Sequence, residues 1–156
     1  MSRIAGSNFQ FALIAALALV CGSALAATGA SKDEAVAMVK KAVAYIKSEG
    51  PKTAYPAIDN QSGQFVDRDL YIVVYGMDWT VLAHGANKAR IGTNQLGDKD
   101  PDGKPFVKER VTLAETQPSF WQSYKFMNPA TKAVEPKEMY CERLEQTVVC
   151  GGVYQF

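Results

Sequence analysis

Apolar and polar residues alternate along Trp121-Gln122-Ser123-Tyr124-Lys125-Phe126-Met127, and the run stops at Asn128-Pro129. Period two over this length predicts a half-buried antiparallel strand. Pro136 opens a second strand-like run, and residues 138–144 and 147–154 read as the two arms of a hairpin. With the turn centred on Glu145-Gln146, Cys141 lies opposite Cys150 and Lys137 opposite Tyr154. In a two-residue hairpin that cysteine pair is non-hydrogen-bonded, the closer kind, where a cross-strand disulfide fits. Two buried thiols are the alternative.

Upstream, Ser31-Lys32-Asp33-Glu34 is a capping box. Val36, Val39, Val43 and Ile46 follow at helical spacing with lysines on the other faces, and Gly50-Pro51 ends the helix. Residues 53–65 suggest a short second helix and a turn. Residues 70–75 are β-branched and aromatic, Gly76-Met77-Asp78 makes a turn, and residues 81–85 return as the partner strand. The glycine- and aspartate-rich stretch 87–104 reads as a long surface loop. Val107, Val111 and Ala114 mark a short helix that crosses the sheet. The predicted fold is α+β, with a long N-terminal helix packed on a five- to six-stranded antiparallel sheet.

The N-terminus reads as an address. Arg3 is the only charge before Lys32, residues 9–20 are apolar, and Ser23-Ala24-Leu25-Ala26 offers a small-x-small cleavage pattern. Residues 1–26 are therefore expected to be a signal peptide cleaved after about Ala26, leaving one domain over 27–156 in the periplasm or secreted. The apolar run is short for a membrane span, so no membrane insertion is expected after cleavage. Cys21 raises a lipoprotein alternative, against which Val20 is bulky for the preceding position. Cleavage would leave Cys141 and Cys150 as an even pair in an oxidising compartment.

Of the 156 residues, 47% are hydrophobic, ample for one core, and the net charge is +1. No basic patch or stripe is visible, which argues against nucleic acid as a partner. His84 is the single histidine, and there is no G-x-S-x-G elbow, no C-x-x-C and no phosphate-binding glycine loop. Nucleophilic, redox and multi-histidine metal chemistry lack their parts, so neither an enzyme nor a cofactor is expected. One metal motif competes: Asp98, Asp100, Asp102 and Glu109 match the spacing of a calcium loop. Pro105 and the absence of a leading helix argue against it. A calcium-stabilised or structural protein-interaction module is the alternative function.

Several short motifs occur in a fixed order: Asp69-Leu70-Tyr71, Ala83-His84-Gly85-Ala86-Asn87, Ile91-Gly92, Asp100-Pro101-Asp102-Gly103-Lys104, Trp121-x-x-Tyr124-x-Phe126-x-Asn128-Pro129, Pro136-Lys137-x-x-Tyr140 and Gly152-Val153-Tyr154. In that order, from about Ser31 to the C-terminus, the chain resembles the single Cache domain family. The resemblance implies a PAS-like extracytoplasmic sensor that binds small organic acids or related metabolites on the concave face of its sheet. Such domains usually form the outer part of chemoreceptors and kinases. With neither a transmembrane helix nor a signalling module in sight, a free-standing Cache protein is expected, with a membrane receptor or a homodimer as possible partners. Trp79, Gly85 and Phe120 depart from the family pattern, which affects the pocket rim.

The candidate ligand site follows. Lys137 beside Tyr154 would hold a carboxylate through charge-assisted hydrogen bonds, or else be a solvated lysine. Trp121, Tyr124 and Phe126 would wall the pocket, or simply pack in the core; Trp121 and Tyr124 differ in strand parity. His84 is a donor to a bound acid or a structural histidine. Tyr71 and Tyr140 are weaker candidates, Tyr140 having opposite parity to Lys137. Arg90 would add a bidentate guanidinium, although it matches no family position. The working picture is a small carboxylate held over an aromatic wall, beneath the N-terminal helix.

Overall fold

A computed structural model describes residues 29–154. The expected leader, its cleavage point and Cys21 lie outside the described residues. Helix α1 (Lys32–Glu49) starts at the capping box: Ser31 Oγ accepts from Glu34 N at 3.2 Å, and Glu34 Oε2 accepts from Ser31 N at 2.7 Å. Gly50, at φ 75°, ends it with its N–H on Ile46 O. Helix α2 (Pro51–Ile58) begins two residues earlier than the sequence suggested, because proline fits a first helical position where no N–H partner is needed.

Six antiparallel strands form one sheet: β1 (Val66–Asp67), β2 (Leu70–Gly76), β3 (Val81–His84), β4 (Ser119–Met127), β5 (Val134–Leu144) and β6 (Thr147–Tyr154). Their order is β1–β2–β6–β5–β4, with β3 also on β2. Helix α3 (Phe106–Thr116) precedes β4. The β5–β6 register is the one expected, with Lys137 opposite Tyr154 and Cys141 opposite Cys150. The two cysteines are bonded, with their Cα atoms 4.1 Å apart. In the β2–β3 turn Trp79 takes φ 66°, a conformation that usually falls to glycine.

The stretch after β3 is less loop-like than its composition suggests. It holds a 3-10 turn (Lys88–Arg90) and a bridge between Thr80 and Asn94. Val81 N donates to Thr93 O at 3.0 Å and Gly92 N to Val81 O at 2.8 Å, so the segment is strapped along the outer edge of β3.

Alternation gives the sheet two unlike faces. On one, Ile72, Val74, Tyr140 and Val149 pack against Val39, Ala42, Val43 and Ile46 of α1. Gly151 permits that approach, since a Cβ there would lie 3.1 Å from Val39 Cγ2. On the other face Tyr71, Val73, Tyr75, Met139 and the disulfide meet Phe106, Val107 and Ala114 of α3. Lys137 shares the parity of Met139 and Cys141 and belongs to this second face. The expectation of a pocket beneath α1 is therefore corrected. The leading helix covers the opposite side, because its stripe matches the wholly apolar set of strand positions.

Candidate functional site

Lys137 is 1% exposed, so the sequence alternative of a solvated lysine does not hold. Its stem lies across β6 at Gly152, where any Cβ would come within 2.6 Å of Lys137 Cε. Nζ donates to Tyr71 Oη at 3.0 Å and to Tyr154 Oη at 3.2 Å. It sits 4.1 Å and 4.5 Å from the centres of those two rings. Tyr154 Oη in turn donates to Met127 O at 2.7 Å, which fixes that phenol as an acceptor toward the amine. None of the ion pairs among the described residues includes Lys137. The carboxylate that acts on it is Asp69, buried as well, whose Oδ1 accepts from Ala30 N at 2.7 Å and whose Oδ2 has no partner.

Burial, reinforced by the positive charge of Arg110, holds the Lys137 amine well below the usual lysine range, with Asp69 opposing weakly. Burial likewise pushes Tyr71 and Tyr154 above the ordinary phenol range. An anion placed beside such an amine would favour its charged form.

A cavity of about 320 Å³ reaches Tyr71, one of the two phenols on the amine; its walls also include His84, Asn87, Arg90, Phe126 and Pro129, while Lys137 and Tyr154 lie behind its lining. His84 is stacked on Tyr71, ring centres 5.2 Å apart. Its Nδ1 accepts from the backbone N–H groups of Ala86 (3.2 Å) and Asn87 (3.0 Å), which puts the ring proton on Nε2. Burial, then the charges of Lys137 and Arg90, lower its pKa to about 3, so the imidazole is neutral. Arg90 is turned to Asp98 and Gln95, its guanidinium 5.5 Å from the Phe126 ring.

The structure thus gathers Tyr71, His84, Arg90, Phe126, Lys137 and Tyr154. Tyr124 is on the same face but in the core, stacked on Phe106 at 4.7 Å, with its hydroxyl 3.7 Å from Met139 Sδ. Trp121 and Tyr140 are corrected out of the site: both have the parity of the α1 face. There they touch each other at 5.3 Å, with Lys32 Nζ 5.1 Å from the Trp121 ring and the Tyr140 hydroxyl on Glu142.

The acidic motif is dispersed. Asp98 pairs with Arg90, and Asp102 pairs with Lys125. Asp100 accepts from the backbone N–H groups of Asp102, Lys104 and Lys125, while Glu109 pairs with Lys104 and accepts from Gln122. Among the described residues no three such side chains form a metal-binding group.

Sequence reasoning missed Arg110. It lies on α3 among Val107, Val111 and Ala114, all buried. A cation inside the apolar stripe of an amphipathic helix was the available signal.

The profile of the family described as single Cache domain 2 matches residues 22–155. The sensor histidine kinase MctS of Rhizobium johnstonii is 32% identical over 89 residues, covering 56% of this chain and 19% of the kinase, so the chain spans about a fifth of that relative. A methyl-accepting chemotaxis protein from Vibrio parahaemolyticus superposes with a TM-score of 0.68 at 20% identity, covering 79% of this chain and 87% of its own. A Cache chemosensory domain described for carboxylic acid recognition gives a TM-score of 0.67 at 17% identity, covering 80% and 92%. Both likenesses concern the fold. No helix among the described residues is long and apolar enough to cross a membrane.

Proposed function

Because the chain belongs to the single Cache domain 2 family, whose members are extracytoplasmic ligand-binding sensor modules, we propose that it senses a small organic acid whose carboxylate is held at Lys137. One observation carries this reading: a buried amine with two phenols on it and no carboxylate in ion-pair contact. A bound carboxylate would accept from Nζ and draw a proton onto it, forming the charged pair that Lys137 otherwise lacks. Tyr71 and Tyr154 orient the amine, neutral His84 offers Nε2–H, and Phe126 shields the pair from water. The carboxylic acid recognition described for the similar Cache domain supports the same class of ligand.

On this reading the domain needs no cofactor and performs no reaction. It acts outside the cytoplasm after loss of its leader, and reports to a membrane receptor or through a second copy of itself. Thermal-shift measurements against a panel of small carboxylates provide the test. A ligand at a hundredfold its Kd adds about 2.7 kcal/mol to the stability of the native state, and Lys137→Met should abolish the response. A panel in which no acid raises the melting temperature would remove the reading.

A further inference from the structure

Asp69, in the turn between β1 and β2, is a carboxylate that the described residues leave half matched. It is 1% exposed. Its Oδ1 accepts from Ala30 N at 2.7 Å, while Oδ2 is buried with no hydrogen-bond partner. A buried carboxylate oxygen without a donor opposes folding more than a neutral acceptor does. Two basic side chains adjoin it, and neither supplies the match. Arg68 is turned to Gly29 O at 3.0 Å, to Glu34 at 2.6 Å and to Asp67 at 2.8 Å. Lys137 sets Nζ on Tyr71 and Tyr154 and enters none of the ion pairs among the described residues.

The same turn grips the chain as it enters α1. Arg68 holds the carbonyl of Gly29 and Asp69 holds the amide of Ala30, so two successive residues are fixed by their backbone. Both are buried, Ala30 against Ala35, Leu70 and Val153. The chain bends at Gly29.

A leader cut after Ala26 frees an α-amine on Ala27, three residues before Ala30. Fully extended, three residues span about 10 Å, whereas a four-residue turn brings its ends within about 7 Å. In Ala27-Thr28-Gly29-Ala30 glycine holds the third place, where a type II turn requires it. A terminus turned back in this way returns to the carboxylate that already holds Ala30.

Resting on the leader loss proposed above, and independent of the ligand, we propose that the α-ammonium group freed by leader cleavage docks on Asp69 Oδ2. In the precursor the nitrogen of Ala27 is an uncharged amide with one N–H. Hydrolysis by water leaves a carboxylate on Ala26 and an ammonium on Ala27, a cation with donors to spare for a buried carboxylate oxygen. Maturation thus adds a bond the precursor cannot make, and the precursor is the less stable fold.

The exported, cleaved protein tests this. Intact mass locates its first residue, and acetylation confined to the α-amine removes the charge while leaving the rest of the chain unchanged. Acetylation should lower the melting temperature at pH 7 by about 5 °C or more, the scale of one charge-assisted bond in a domain of this size. By NMR the α-amine should titrate above its ordinary range of about 7.7–8.0. The gap between the two forms is then full below that range and closes as pH rises through the raised value. Asp69→Asn should bring both forms to one melting temperature; where that variant does not fold, the NMR titration decides. Equal melting of the native and acetylated proteins, or an α-amine that titrates at its ordinary value, would overturn the docking and leave leader loss standing. So would an Asp69→Asn protein in which the gap persists. A mass that retains residues 1–26 would remove the docking and the leader loss together, with the carboxylate reading untouched.

Discussion

The two faces of the sheet come from the same strands and are built on opposite principles. Toward α1, the buried set Ile72, Val74, Val149, Val39, Val43 and Ile46 is aliphatic and mutually complementary. Toward α3, the interior carries Lys137, Arg110, Asp69, His84 and four tyrosines, and several of their polar atoms have no partner. Folding stability accounts for the first face and does not account for the second. Burying polar groups opposes folding unless they are matched, so the second face costs stability where the first supplies it.

The sharpest way to break the comparison is to put a charge where none belongs. Ile72→Asp, on the α1 face, should cost more than about 4–5 kcal/mol and leave the chain unfolded by circular dichroism. If it folds normally, the α1 face is not the structural one.

Acid should act through the other face. Below its ordinary 6.5, an unfolded histidine takes up a proton that native His84, held to about 3, does not. The unfolded state then binds more protons, so stability is complete above about pH 6.5 and falls as pH drops through the window toward 3. The loss reaches on the order of 4 kcal/mol at the low end. Between pH 6.5 and 5 unfolded carboxylates are already ionised, so urea titrations there isolate the histidine. His84→Asn, whose side-chain oxygen can still accept from the two backbone donors, should flatten the slope. An unchanged slope would mean that His84 carries a proton in the native protein.

Removing the buried amine should have the opposite sign from adding a charge. Lys137→Met is expected to raise stability by about 1–4 kcal/mol, since a buried ionisable group with no carboxylate in ion-pair contact is replaced by an apolar one of similar length. The same change should abolish any response to carboxylates. Destabilisation with retained binding would make Lys137 a structural residue.

The smallest effect is expected at Trp121, which is 39% exposed on the α1 side. Trp121→Ala should change stability by about 1 kcal/mol or less and leave acid affinity unaltered. A large loss of affinity would place Trp121 at the ligand.

Legibility followed the range of the interactions involved. The placement of Lys137 opposite Tyr154, and of Cys141 opposite Cys150, could be read because a two-residue hairpin fixes its register through nearest neighbours. The limits of α1 were readable for a similar reason, since Ser31, Glu34 and Gly50 act on adjacent backbone groups. His84, Tyr71 and Lys137 belong to three strands far apart in sequence, and only the resemblance to a known family brought them together beforehand. Arg110 escaped because α3 carries two cations, Lys108 and Arg110, and the weak stripe of so short a helix was not weighed to tell which of them turns inward.

Alone, then, the sequence determined the local terms of this protein: its caps, its strand parity, its hairpin register and its family. The tertiary structure decided which side of the sheet each helix covers. β2 is buried on both faces and its alternation therefore carries no label for inside or outside. Only the packing of α1 against one side and α3 against the other reveals that Trp121 and Tyr140 lie behind the sheet, while Lys137 and Arg110 share the interior in front of it.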